Sequence, residues 1–316
     1  MDFLAESTER VDMDKKGILY AFGGYFIWGV VPIYWKALKH VPATQLIGHR
    51  IIWSFILLIL LLLATRKWHE FRSLASGRRV FCIYLIAAIL VGTNWLIYVW
   101  AVNSGYIIEA SLGYFINPLL SVLLGVVFLR ERLRFFQWIS IGLATAGVIY
   151  LTVSYGHVPW IALGLAFTFG FYGLVKKTAP LGSVYGLTLE SGILFIPGLF
   201  FLVRQDWIGR GAFLHTGLEP DLLMAGAGLI TTIPLLMFVS AARRIPLTAL
   251  GILHYITPTC QFLLGLLVYK EAFDRIQALG FGIVWIGLII FCVEGYTVNR
   301  REQDAEYADH AGERES

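Results

Sequence analysis

Four ionisable side chains in this sequence stand well inside long apolar runs: His49, Arg50, Glu190 and His254. A charge at bilayer depth costs roughly 2.5 to 3.5 kcal/mol on insertion scales, so such residues are functional candidates before anything else is known. Arg50 offers a planar fork that matches a carboxylate. Glu190, if left without a partner, suits proton coupling, because groups that change charge inside a membrane can move protons across it. An unperturbed imidazole titrates near neutral pH, which makes His254 a candidate for the same work. Asn94, Tyr114, Asn117 and Gln261 add uncharged donors and acceptors, and Trp28, Trp53, Trp95 and Trp100 add aromatic faces against which a substrate could lie. Each also has a plainer reading. Arg50 could reach the interface and pair with Glu109, His49 could bond a neighbouring helix, and Asn94 could join two helices for ~0.6 to 2 kcal/mol. Most membrane tryptophans pack or anchor.

Patterns for covalent or metal chemistry are missing: no HExxH, no GxSxG and no paired-aspartate set occurs. The three cysteines, Cys82, Cys260 and Cys292, all fall in apolar runs and read as packing residues, not a disulfide framework or a zinc site. No catalytic residue, metal or cofactor is therefore expected.

The elements that must position these side chains follow from composition. With 58% hydrophobic and 15% charged residues and a mean hydropathy of +0.71, the chain lies outside the range of soluble domains. A hydrocarbon layer of roughly 30 Å needs about 20 apolar residues per helix. Ten runs qualify: Gly17–Trp35, Ala43–Ala64, Val80–Val102, Ile107–Leu129, Phe135–Val153, Val158–Val175, Val184–Val203, Leu222–Ala242, Leu247–Tyr269 and Ile276–Val298. They lack the alternation of barrel strands, and lipid tolerates no unpaired backbone, so an all-α polytopic membrane protein of ten transmembrane helices is predicted. Short connections leave no room for a soluble catalytic domain. Arg66 to Arg79, with Trp68, Phe71 and Leu74 among basic residues, suits a short amphipathic helix on the inner interface. Residues 1–16 form a cytoplasmic N-terminal segment, and 299–316 are charged without an apolar stripe, suiting a disordered cytoplasmic tail.

Eighteen of the 25 Lys and Arg fall in segments that share a side with the N-terminus, and six on the other side. The positive-inside rule then predicts both termini in the cytoplasm, in the inner (plasma) membrane. By the helical rise of about 1.5 Å per residue, His49, Arg50, Asn94 and Tyr114 form an outer polar layer, and Glu190 and His254 an inner one. No Lys or Arg is expected at the level of Glu190, so Glu190 and His254 are expected to act as one titrating unit.

Sliding the chain by 140 positions places Ile116, Pro118, Leu123, Leu124, Gly125, Glu131, Gln137, Gly142, Gly147 and Ile149 over Ile256, Pro258, Leu263, Leu264, Gly265, Glu271, Gln277, Gly282, Gly287 and Ile289. An offset of 141 matches Ala21, Gly23, Phe26, Gly29 and Lys36 with Ala162, Gly164, Phe167, Gly170 and Lys177. Five helices per unit, an odd number, would insert the second copy upside down, the inverted-repeat plan of many secondary transporters. The repeats are 17–153 and 158–298. Pro118 and Pro258 each free a carbonyl and are candidate hinges. Gly142, Gly147, Gly282 and Gly287 are expected to let helices five and ten approach closely.

GGYFIWGVVPIYWK (Gly23–Lys36), GHRIIWS (Gly48–Ser54), TNWLIYVWAVN (Thr93–Asn103), EASLGYFINPLLSVLLG (Glu109–Gly125), GLTLESG (Gly186–Gly192) and ILHYITPTCQFLLG (Ile252–Gly265) resemble the EamA-type drug/metabolite transporters, and among them the RarD proteins. The resemblance covers nearly the whole chain. It implies two EamA repeats with helices one to four and six to nine around a central cavity and helices five and ten outside it. It also implies export of metabolites or drugs, with an association by name to chloramphenicol sensitivity. The expected function is a secondary transporter exporting small amphipathic or aromatic molecules by alternating access. The alternatives are a membrane-embedded enzyme, or a channel or non-transporting sensor. Candidate partners are a small-molecule substrate, the lipid bilayer, protons as coupling ion and a second copy of the chain in a homodimer; nothing points to nucleic acid.

Overall fold

The computed structural model describes residues 14–104, 106–156, 158–268 and 275–315, and every regular element among them is helical. In order these are α1 (Lys15–Val30), α2 (Pro32–Ala37), α3 (Ala43–Ala64), α4 (Trp68–Ala75), α5 (Arg78–Asn103), α6 (Ile107–Phe128), α7 (Phe135–Tyr155), α8 (Trp160–Thr178), α9 (Ser183–Trp207), α10 (Leu218–Ala242), α11 (Leu247–Leu253), α12 (Ile256–Leu263) and α13 (Arg275–Glu315). Among the described residues eight stretches are long and apolar enough to cross a membrane: α1 with α2, α3, α5, α7, α9, α10, the run from α11 onward (Leu247–Val268), and Ala278–Gly295 within α13. The other two expected runs are helices of the same bundle, α6 and α8. In α6 the qualifying apolar stretch is the shorter Leu112–Phe128. In α8, Gly164, Thr168, Gly170, Tyr172 and Gly173 dilute the apolar content and two lysines follow.

The molecule wears its apolar side chains outward, as a lipid-dissolved bundle must. Phe135, Trp160 and Trp207 are 73%, 74% and 89% exposed, while Gln45, Lys176, Glu190, Thr231 and His254 are buried. With no gain from hiding apolar surface, helices associate where small residues let backbones approach. α10 meets α3 at Gly228, where a Cβ would sit 2.5 Å from the Trp53 backbone. α7 pairs with α13 at Gly147 and Gly287, as expected, but Gly142 and Gly282 face open space with nothing within 4 Å. The further pairings are α1 with α10 and α12, α5 with α8 and α9, α3 with α9, and α6 with α8 and α11.

Two proline sites behave differently. α6 runs unbroken through Pro118, whereas the Pro258 segment breaks: Tyr255 N bonds Ile252 O at 3.1 Å, Thr257 N bonds His254 O at 3.0 Å, and a π-helical turn follows at Leu264–Val268. Pro258 has no N–H to return to His254, so that carbonyl is satisfied by the tighter turn. A similar interruption at Val31, before Pro32, separates α1 from α2.

The amphipathic helix expected over Arg66–Arg79 is α4, with Phe71 buried against Tyr185 and Glu70 accepting from the Tyr185 hydroxyl at 2.7 Å. At the C-terminus α13 continues to Glu315 where a disordered tail is expected from Asn299; Glu, Gln, Arg and Ala, all strong helix formers, dominate that stretch. Of the N-terminal segment only Asp14 onward is described, and α1 begins at Lys15.

Candidate substrate cavity

The starts of α1, α5 and α9 share one end of the bundle with the end of α10, since Gly17 lies against Arg244 and Ile245 and Gly186 against Tyr84. That end is tied shut. Arg243 donates to the carbonyls of Ala179 and Leu181 at 2.7 Å each, Lys177 to those of Ala242 and Ile245 at 3.3 and 2.6 Å, and Tyr84 bridges to Leu181. The Glu131 carboxylate accepts from Leu247 N at 2.7 Å and Thr248 N at 2.8 Å, satisfying two otherwise free donors at the start of α11. Arg244 pairs with Asp14 at 3.3 Å.

A cavity of about 140 Å³ occupies the other half of the bundle and reaches past its middle at Leu235 and His254. It is lined from α1, α2, α3, α5, α6, α8, α10 and the α11–α12 segment; among the described residues α7 and α13 contribute nothing, and neither does α9, the seventh of the expected helices, which borders a separate small void instead. Its walls are aromatic (Trp28, Trp35, Trp95, Tyr98, Tyr114, Phe169) with Arg50, Asn94, Asn117, His254 and Gln261 as polar groups.

Most of the residues expected at the site meet here. Arg50 stands between two rings, its guanidinium carbon 5.2 Å from the Trp35 centroid and 4.8 Å from that of Trp95, while its Nε donates to Thr231 Oγ1 at 2.9 Å. Cation–π contacts of this kind suit the weakly hydrated guanidinium. The Glu109 side chain, its expected alternative partner, lies outside the described residues. Asn94 spends both amide hydrogens on Leu165 O and Thr168 Oγ1, at 2.9 Å each, so it both lines the cavity and joins α5 to α8. Asn117 accepts from Ser121 at 3.3 Å, and Tyr114 meets Tyr98 edge-on at 6.1 Å. His254 sits at the break between α11 and α12, stacked on Tyr25 with centroids 4.5 Å apart, and Gln261 donates to Trp28 O at 3.4 Å.

Two expected site residues do not line the cavity. His49 is buried against the Phe213 ring at 5.1 Å, beside the loop that Gln45 pins through Arg210 O and Ala212 N. One residue along a helix turns a side chain by about 100°, so Arg50 faces the cavity and His49 does not. Glu190 borders a separate void of about 10 Å³, one water at most, walled from the cavity by Trp95 and Leu235. Its carboxylate forms an ion pair with Lys176 and accepts from the Tyr172 hydroxyl at 3.1 Å. The expectation that no cation stands at its level is wrong: Lys176, assigned to a connection, is the inward face of the last turn of α8. Glu190 and His254 thus have different partners. Pro118 lies on the crossing of α6 and α11, its carbonyl packed on Gly251, and Pro258 at the break beside the cavity residue Thr257.

Sequence reasoning passed over Lys176, Tyr172, Tyr98 and Thr231. Thr231 and Thr232 form a polar pair inside the apolar α10 run, a signal that was there to be used.

The EamA-like transporter family model matches residues 15–153. Across most of the chain, relatives at about 40% identity are found. A protein named RarD from Streptomyces exfoliatus is 42% identical over 95% of this chain and 93% of its own length. An uncharacterized transporter, YojE, from Bacillus subtilis is 43% identical over 88% of this chain and 93% of its own. One crystal structure, 19% identical, superposes with a TM-score of 0.63 over 87% of this chain and 96% of that one, a likeness of fold alone.

Proposed function

Since this chain belongs to the RarD family of EamA-type transporters, a multi-pass membrane transporter of the drug/metabolite type, we propose that it exports small amphipathic or aromatic metabolites or drugs across the inner membrane by alternating access. The observation that carries the mechanism is the asymmetry of the bundle. One end is tied by Glu131, Lys177 and Arg243, while an aromatic cavity of about 140 Å³ occupies the opposite half. Such a site exposed to one side at a time is what alternating access needs.

The proposal reads the chain as ten transmembrane helices in two inverted repeats, 17–153 and 158–298. The packing supports it. If α1, α3, α5, α6 and α7 exchange with α8, α9, α10, the α11–α12 segment and α13, the pairing α1–α10 becomes α8–α5, α3–α10 becomes α9–α5, and α6–α8 becomes α12–α1. α3–α9, α6–α11 and α7–α13 map onto themselves. The bias of Lys and Arg toward one side supports a reading with both termini in the cytoplasm, under which the closed end faces inward and the cavity outward. In the cavity Arg50, Asn94, Trp95, Tyr114, Asn117, His254 and Gln261 contact substrate; His49 and Glu190 are structural. Proton coupling through Glu190 loses its premise with the Lys176 pair, which leaves His254 as the titratable imidazole in the cavity wall.

Reconstitution into proteoliposomes tests this reading. Chloramphenicol and aromatic amphiphiles, offered with and without an imposed proton gradient, should accumulate against their own gradient. Equilibration that only runs downhill would favour a channel, and turnover of the compound into a product would favour an enzyme.

A further inference from the structure

We infer that the cavity selects monoanions, a carboxylate carried on a planar apolar body, and that the Nη edge of Arg50 receives the carboxylate. This rests on the transport reading above and names its substrate class. Arg50 is held in an unusual way for a structural arginine. Trp35 and Trp95 stack near the guanidinium, and Thr231, itself buried, takes the Nε hydrogen. Ring stacking stabilises the charge but supplies no acceptor in the plane of the group. A guanidinium has five N–H donors in a fixed fork, so with Nε committed the four Nη hydrogens remain, on the part of the side chain left for the cavity that Arg50 lines.

The described lining of the cavity holds no counter-charge. Among the described residues lining it there is no Asp or Glu, and no described carboxylate pairs with Arg50. The buried carboxylate of Glu190 is taken by Lys176 behind the wall of Trp95 and Leu235. Away from bulk water a charge of this kind is strongly disfavoured without a counter-charge. An entering carboxylate meets two parallel N–H donors in the geometry it fits best. The rest of the ligand is described by the rest of the wall. Trp28, Trp95, Tyr98, Tyr114 and Phe169 offer flat apolar contact, so a ring joined to the acid is bound along its faces. A zwitterion gains less, because its ammonium group finds no carboxylate among the described lining residues.

The test is binding, measured by titration calorimetry on the detergent-purified full chain, with indole-3-acetate against its uncharged isostere indole-3-acetamide. The acid should bind about ten- to a hundredfold tighter, the range expected for a charge-assisted bond. Arg50→Gln should remove the acid's advantage over the amide, and Arg50→Lys should retain part of it. Equal affinities for acid and amide in the unmodified protein, or binding of neither, would overturn the proposal without recourse to any variant. So would an undiminished acid preference in Arg50→Gln. A lipid phosphate is the other source of an anion for the same fork. If phosphatidylglycerol abolishes the acid's advantage and phosphatidylcholine does not, the fork belongs to lipid and the proposal fails. Uphill transport of acid and amide alike would leave the transport reading standing and remove only the charge selectivity.

Discussion

Lys176 and Glu190 form an ion pair whose side chains are 1% and 2% exposed, joining the last turn of α8 to the second turn of α9. A buried pair adds little net stability compared with apolar residues, but removing one partner strands the other charge in an apolar setting. Glu190→Gln should therefore destabilise the protein by ~3–5 kcal/mol, seen as a lower thermal midpoint in detergent. Lys176→Met combined with Glu190→Gln should lose less than Glu190→Gln alone, because no unpaired charge remains. A Glu190→Gln protein with an unchanged midpoint would show that the pair is not ionised.

Glu131 reaches across from the end of α6 to the first two N–H groups of α11. Removing the acceptor leaves both donors without a partner at the closed end. Glu131→Ala should cost ~0.5–2 kcal/mol, the range for lost helix caps. Glu131→Gln keeps one oxygen and should cost less. Equal midpoints for all three proteins would mean that the cap contributes nothing to closure.

The helices and most of the cavity residues were legible in the sequence because apolar length and intramembrane polarity are strong signals. Arg50, Asn94, Tyr114 and His254 could be chosen from four separate runs, and the cavity does gather them. Partners were not legible. Lys176 ends an apolar run, and a linear reading cannot tell a lysine that turns inward from one that reaches water. Glu294 lies within the last apolar run and was passed over; it pairs with Arg134 at 2.9 Å, across the α7–α13 contact. His49 and Arg50 are adjacent in sequence yet face different surroundings, which only the rotation of α3 in the bundle decides. Of the two prolines expected as hinges, Pro258 lies beside the break at His254 and Pro118 produces none, while the break at Val31 before Pro32 was not expected, so the residue type alone does not decide.

Membrane orientation is open to direct labelling. In a background lacking Cys82, Cys260 and Cys292, Leu218→Cys should react with an impermeant maleimide added to intact cells, and Ser76→Cys only after the membrane is permeabilised. Leu218 is 76% exposed and Ser76 is exposed, so both thiols are reachable. Gly156 and Gly217 make poorer probes, since their φ of 88° and 109° would strain any side chain. Labelling of Ser76→Cys in intact cells would reverse the assignment of the closed end to the cytoplasm.

The crossing of α6 and α11 gives the sharpest structural prediction, because glycine matters there for space alone. A Cβ at Gly251 would stand 2.7 Å from the carbonyl oxygen of Pro118, 2.9 Å from Ser121 Cβ and 3.3 Å from Val122 N. Two of these are backbone atoms, so no rotamer change relieves the clash and the two helices must move apart. Gly251→Ala should destabilise the protein by ~1–3 kcal/mol, as overpacking does. It should also weaken substrate binding, since Tyr114 and Asn117 on α6 face His254 at the end of α11 across the same cavity. Gly142 supplies the control. It is helical and exposed, and a Cβ there meets nothing within 4 Å, so Gly142→Ala should be neutral or stabilise by up to about 1 kcal/mol through higher helix propensity. The two alanines are the same chemical change with opposite expected signs in thermal unfolding. Equal shifts in both would mean that the close approach at Pro118 does not hold the crossing, and that glycine at 251 is kept for some other reason.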